Sequence, residues 1–354
     1  MPMPTEPIGS IPRPDGLIQG MQAHAKGLLS RKDLDALYES ALRDTIERFE
    51  ATGSPVITDG EQTKPSFATY PIAGLQSLAP DGVIIPFADG HTRQLPRLTA
   101  GPFRYRTYAG TYLQAAKRYA HRPVKQAVIS ASALSLLYPR QGIDGYSREA
   151  FIEDLVREHE ADIRSCLKNG AYKVQIDFTE GRLAVKLDPT GGLLKSFVEL
   201  NNRVLNRFTA EERGRIGIHT CPGGDKDSTH SADVDYAALL PELFGMNAGN
   251  FYLQLSSEAD RPRVLKIIKE RSKPGQRVFV GVTDPIDPRI ETPETVRDRV
   301  LEAAEFITPD RLGTTDDCGF SPFGDDTSTS RDTAFEKIRA RVAGTALAAD
   351  ALGI

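Results

Sequence analysis

Short runs of β-branched and apolar residues recur along the chain at 7–12 (PIGSIP), 55–61 (PVITDGE), 124–132 (VKQAVISAS), 173–178 (KVQIDF), 215–221 (RIGIHTC), 250–257 (NFYLQLSS), 277–284 (RVFVGVTD) and 311–318 (RLGTTDDC). Their composition is that of parallel strands buried on both faces. Between them the period lengthens to that of amphipathic helices. Residues 147–170 open on a serine cap and stop at a glycine, 235–247 and 291–307 follow, and 330–353 is the last helix. A helical arm at 33–53 precedes the second run. Eight β-to-α alternations predict an α/β fold, a single (β/α)8 TIM barrel over residues 1–354, in preference to an open sheet. One stretch breaks the alternation. At 79–108 the turn signals PDG and ADGH flank the run VIIPF, which predicts a β-hairpin insertion between the second and third barrel strands.

With 354 residues, 40% hydrophobic and 26% charged, the chain has the composition of a globular enzyme with a large core. A net charge of -4 lacks the basic excess of a nucleic-acid binder. No apolar run approaches the roughly 18 to 20 residues that span a bilayer, and the N-terminus has no signal-peptide pattern, so a cytoplasmic protein without a membrane partner is expected. The three cysteines, Cys166, Cys221 and Cys318, are an odd number and widely spaced, unlike a disulfide framework. Cys166 sits in a helical pattern and reads as a small core residue.

In a barrel the loops after the strands converge on one mouth, and that is where the polar residues of this chain fall. They are Ser10, Asp59, Glu61, Asp177, His219, Cys221, Gln254, Glu258, Asp284, Asp317 and Cys318. A lone carboxylate at a strand end is as readily a helix cap as a ligand. His219 and Cys221 are more specific: two apart on a strand, they point to the same side. They are either a buried histidine beside a buried thiol or two donors for one ion. With Cys318 at another strand end the pattern favours Zn²⁺, which takes nitrogen and sulfur ligands and, in catalytic sites, about three protein ligands with one position open. The loops DPTGGLLKS (188–196) and TCPGGDKDSTHS (220–231) lack the spacing of a phosphate-binding loop. His230, in the second of them, is either a proton donor at the mouth or part of a helix-capping loop.

The segments IGSIPRP (8–14), DGE (59–61), the 79–108 insertion, VQIDF (174–178), IHTC (218–221), GVTDP (281–285) and DDCGFSPF (316–323) together resemble the C-terminal catalytic barrel of cobalamin-independent methionine synthase, over nearly the whole chain. The resemblance implies a zinc ion on His219, Cys221 and Cys318 that holds homocysteine as a thiolate attacking a methyl group. It implies that Ile8, Gly9, Ser10, Glu61 and Asp177 hold homocysteine, with Arg13 beside them. Asp177 and His230 are the candidate catalytic groups.

Three departures accompany it. Gln254 stands where the family has a zinc-ligating glutamate, so the fourth ligand is either its amide oxygen or Glu258, four residues on. Ile286, in DPIDP, occupies the place of the histidine that protonates the folate leaving group. The chain has no tryptophan, and LLYP (136–139) replaces the family's folate-stacking motif; the sequence also contains no counterpart of the synthase's N-terminal half. Thiol activation is therefore expected to be kept and folate use lost, with the alkyl donor open between a methyl-corrinoid, free or on a corrinoid protein, and another activated alkyl compound. The oligomeric state stays open too. An epoxyalkane:coenzyme M transferase is the close alternative; its sulfonate would need cations such as Arg13, Lys64 or Arg104, whereas the ammonium of homocysteine needs Glu61 and Asp177. A metal-free decarboxylase similar to uroporphyrinogen decarboxylase is a third reading.

Overall fold

The computed structural model describes residues 3–354. Its centre is a six-stranded, all-parallel sheet in the spatial order Leu312–Asp316, Arg277–Thr283, Asn250–Leu253, Ile216–Thr220, Val174–Asp177 and Gln126–Ile129. Nearly every residue of these strands is buried, as their apolar runs require. The register aligns their C-terminal ends: Asp177 pairs with His219, and Tyr252 with His219 from the other side. Polar residues at the ends of different runs are thereby brought to one rim.

The first two runs do not form ladders. Thr5 makes a single parallel bridge to Thr314 at one edge of the sheet, and Ile57 a single parallel bridge to Val124 at the other. Prolines at 4, 7, 12 and 55 remove the N–H groups that longer ladders would use. The two segments meet each other where the Ile11 N–H donates to the Gly60 carbonyl at 3.0 Å and the Thr58 hydroxyl to the Gly9 carbonyl at 2.8 Å.

The capped helices lie close to where the periodicity puts them. Arg31–Ala51, Arg148–Lys168, Tyr236–Leu243, Pro293–Ala304 and Arg331–Leu352 are each capped by a side chain at the preceding residue, Ser30, Ser147, Asp235, Thr292 or Ser330, interactions worth about 1 kcal/mol apiece. The 188–196 stretch is a departure: Gly191, at φ 82°, turns the chain into a helix, Gly192–Leu205, whose first turn is held by the Asp188 carboxylate on the Leu193 N–H at 2.8 Å. Over residues 78–98 the chain forms two short antiparallel ribbons, Leu78–Ala79 with Arg97–Leu98 and Ile84–Pro86 with Thr92–Gln94. No helix among the described residues is long and apolar enough to cross a membrane.

The interior beside the sheet is partly polar. Glu6 takes Lys173 at 2.6 Å and the Tyr252 hydroxyl at 2.6 Å, and Lys125 lies over the Tyr252 ring at 3.9 Å. Lys125 donates to the Gln175 amide oxygen at 2.8 Å, and Gln175 in turn donates to the Asp177 carboxylate at 2.7 Å. A chain of buried hydrogen bonds thus runs up to the rim and fixes one oxygen of Asp177.

Candidate active site

His219 is the fourth residue of its strand and Cys221 follows directly after it. Cys318 comes two residues after the edge strand Leu312–Asp316, which is separated from the His219 strand by two others. The ligand atoms of these three side chains all lie within 4.8 Å of one another. The two thiols are 3.1 Å apart. One histidine nitrogen, Nδ1, faces the Tyr252 carbonyl at 3.2 Å, while Nε2 is buried with no protein partner. A buried nitrogen without a partner costs about 1–3 kcal/mol, and two crowded thiols push each other toward protonation. Contact with Cys221, then burial, drive the Cys318 thiol well above its usual range. One cation among Nε2 and the two sulfurs would resolve all three anomalies, and an N, S, S set is what a tetrahedral borderline ion such as Zn²⁺ prefers.

The pattern of these residues depends on two glycines. Gly223, at φ 72°, makes the turn after Cys221, and a Cβ there would fall 1.8 Å from the His230 ring. Gly319 follows Cys318, and a Cβ there would fall 2.1 Å from the Ser10 hydroxyl, which accepts the Ser321 N–H at 3.2 Å. The close approach of the N-terminal segment to the 318–321 turn needs that gap.

His219 and Cys318 open onto a cavity whose walls also carry Ile8, Ser10, Glu61, Asp177 and His230. Gly9 is not among its walls; its carbonyl accepts the Thr58 hydroxyl. Glu61, at φ 56° in a strained turn, places one oxygen 2.9 Å from Lys64. Burial pushes the Glu61 carboxyl up against the pull of Lys64; for Lys64, burial is outweighed by Glu61, and the ammonium is held above its ordinary value. Burial likewise raises Asp177, against the pull of His219 and Gln175. Glu61 thus already has Lys64 as its ion-pair partner, whereas Asp177 has no ion-pair partner among the described residues. His230 is pushed down to about 4 by burial, so its ring is neutral at pH 7.

Several expected residues take other places. The Arg13 guanidinium is spent on backbone carbonyls, Glu61 at 2.8 Å, Lys64 at 2.6 Å and Gln62 at 3.3 Å, and it shapes the 61–64 turn from below without lining the cavity. Arg104 is half-exposed and paired with Asp154 at 2.8 Å, away from the cavity. Glu258 is not among the clustered metal donors, and both Gln254 and Glu258 accept from Arg182, at 2.7 and 2.9 Å. They line a second cavity, on another side of Cys318, together with Asp284 and Ile286.

The roof of the first cavity escaped the sequence reading. Ile85, Phe87 and Arg93 from the 84–94 ribbon line it together with Phe67 and Phe323. Arg93 grips Asp225 at 2.6 and 3.1 Å and Asp325 at 3.0 and 2.9 Å, and lies over the Phe323 ring at 4.2 Å. His91 adds a contact to Asp225 at 3.0 Å and stacks on Phe87 at 4.3 Å. No local signal marks Arg93, because its partners Asp225 and Asp325 lie 132 and 232 positions away.

Comparison with known proteins fits this geometry. The family model described as the catalytic domain of cobalamin-independent synthase matches residues 3–338. A methionine synthase of Sulfurisphaera tokodaii is 22% identical over 99% of this chain and 94% of its own length, and one of Saccharolobus solfataricus 20% identical over 97% and 94%. The structure of a B12-independent methionine synthase from Shewanella sp. W3-18-1, in complex with selenomethionine, aligns with a TM-score of 0.78 at 20% identity over 99% of both chains. A putative vitamin-B12-independent methionine synthase from Listeria monocytogenes aligns with a TM-score of 0.72 at 21% identity over 97% of both chains, so the α/β fold is shared. The chain belongs to the family of the cobalamin-independent synthase catalytic domain.

Proposed function

We propose that the protein is a zinc-dependent methyltransferase of the methionine-synthase type, with homocysteine as the acceptor thiol. The observation that carries this reading is that His219 and Cys318, clustered with Cys221, open onto the same cavity as two buried carboxyls, Glu61 and Asp177. A zinc ion, when bound, supplies a Lewis acid that keeps a thiol deprotonated near neutral pH while leaving it nucleophilic. Glu61 and Asp177 accept from the substrate ammonium, and Gln175 keeps Asp177 turned toward it. Ile8, Gly9 and Ser10 position the amino-acid end through the N-terminal segment. A sulfonate-bearing thiol finds no free cation here, since Lys64 is paired with Glu61, Arg13 with carbonyls and Arg93 with two aspartates. That disfavours the coenzyme M alternative.

The donor follows from what the site lacks. Transfer from methyltetrahydrofolate requires protonation of a poor leaving amine. Ile286 supplies no proton, and its side chain faces the same point beside Gly224 as the Cys318 thiol does. His230 is neutral and hence a weak acid. An activated donor such as a methyl-corrinoid suits these residues better. We further propose that the two edge bridges and the Ile11–Gly60 contact close the six-stranded sheet into a (β/α)8 barrel, with the 79–108 segment inserted between its second and third strands.

Zinc-loaded protein is expected to form methionine from homocysteine and methylcobalamin and to turn over the folate triglutamate far below one per second. Consumption of epoxypropane with coenzyme M, without any homocysteine methylation, would overturn the assignment.

A further inference from the structure

We propose that Arg182 is a positioning residue that withholds Gln254 and Glu258 from the metal, so that the ion carries three protein donors and the acceptor thiol displaces no protein carboxylate. The inference rests on the zinc reading above. Gln254 is the natural source of a fourth donor. It follows the strand Asn250–Leu253, whose register sets Leu253 against Thr220, and its N–H reaches the Thr220 carbonyl at 3.3 Å, beside Cys221. Glu258 shares a cavity with Cys318.

Arg182 turns both of them away. One of its nitrogens donates to the Gln254 amide oxygen at 2.7 Å and to the Glu258 carboxylate at 2.9 Å. The Gln254 amide nitrogen is spent on the Ser257 hydroxyl at 2.6 Å. The guanidinium is itself immobilised: it is 2% exposed, donates to the Val234 carbonyl at 2.7 Å and lies over the Tyr236 ring at 4.6 Å. The turn that carries both acceptors is pinned next to Cys318, because Asp317 accepts the N–H groups of Leu255, Ser256 and Ser257 at 2.8 to 2.9 Å. Neither acceptor can reach a metal without surrendering a buried charge-assisted bond.

The charge count explains the use of this arrangement. Two cysteine thiolates balance Zn²⁺, and a carboxylate ligand would leave the site with an excess negative charge against which a third thiolate must bind in a low-dielectric setting. Pairing Glu258 with Arg182 keeps that charge off the metal.

The test uses cobalt-substituted protein, whose visible bands report the ligand set, with homocysteine titrations. Arg182→Met, similar in length but without donors, releases Glu258. It is expected to change the metal's spectrum before any thiol is added and to weaken homocysteine binding by about tenfold or more. Arg182→Met/Glu258→Gln, which has no carboxylate to release, is expected to return affinity to within about threefold of the parent. A single variant with the parent's spectrum and affinity overturns the proposal. So does a double variant as weak as the single one, which would make Arg182 only a support for the fold. A parent protein that takes up no metal, or whose spectrum ignores homocysteine, defeats the zinc reading itself and this inference with it, an outcome visible before any variant is made.

Discussion

The two sides of the first cavity are built on opposite terms. On the floor, His219 Nε2 has no partner, the Cys221 and Cys318 sulfurs crowd each other at 3.1 Å, and Glu61 and Asp177 are buried carboxyls with raised affinity for protons. On the roof, Arg93 meets two aspartates and His91 bridges Asp89 and Asp225. The floor leaves His219 Nε2 without a protein partner and its two sulfurs crowded, whereas the roof pairs its charges among its own residues. A buried nitrogen without a partner is costly, so His219 Nε2 beside two crowded thiols marks a place where a ligand would gain binding energy.

The largest expected effect comes from breaking the floor. Cys318→Ser should lose stoichiometric zinc and at least about 100-fold in activity, while the melting temperature of the metal-free protein stays within a few degrees of the metal-free parent, since no native hydrogen-bond network depends on that thiol; metal analysis with thermal unfolding checks both. Next come the carboxyls. Glu61→Gln or Asp177→Asn removes a charge-assisted bond worth on the order of 1.5–3 kcal/mol, so calorimetry should show homocysteine binding weakened about tenfold or more with zinc retained. Wild-type affinity in both variants would contradict the ammonium assignment.

Breaking the roof should do less to chemistry and more to local order. Arg93→Ala leaves the buried Asp225 with His91 as its remaining side-chain partner, and faster amide exchange across 84–94 and 224–229 is expected, with KM raised a few-fold and zinc content unchanged. A variant that lost its zinc would show that roof and floor are not independent.

The smallest effect lies away from both and sharpens the contrast. His159, on the helix Arg148–Lys168, is fully buried with both ring nitrogens unpartnered, and burial pushes it down from 6.5 to about 3. The unfolded chain therefore binds a proton between those values that the folded chain refuses, so this residue's contribution to stability is complete above pH 6.5 and is lost as pH falls toward 3. His159→Leu should flatten the dependence of unfolding free energy on pH in that window by about one proton and leave zinc and catalysis alone. An unchanged slope would show that the ring is solvated.

These contrasts also account for what was legible in the sequence. The His-X-Cys spacing and the capped helices could be read because their signals are local: a two-residue period on a strand, a serine or threonine before an apolar stripe. The first two strands read as longer than the single bridges they form, because apolar runs reveal burial while prolines decide how much ladder follows. The Gly191–Gly192 pair read as a loop although it opens a helix, since one left-handed glycine suffices to start the turn. Arg93 and Arg182 could not be identified from their surroundings. Their partners lie 132 and 72 residues away, and only the folded chain brings them together. For the same reason the sequence could not show that backbone carbonyls occupy Arg13, or that Arg182 holds Gln254 and Glu258 in the cavity they share with Cys318.

The most direct test of the account is zinc K-edge absorption of the full-length protein before and after homocysteine is added. One zinc per chain with two sulfur and one or more nitrogen or oxygen neighbours, gaining a third sulfur on addition of homocysteine, is the predicted result. A spectrum with the same number of sulfurs before and after, at homocysteine concentrations that saturate binding, would contradict it.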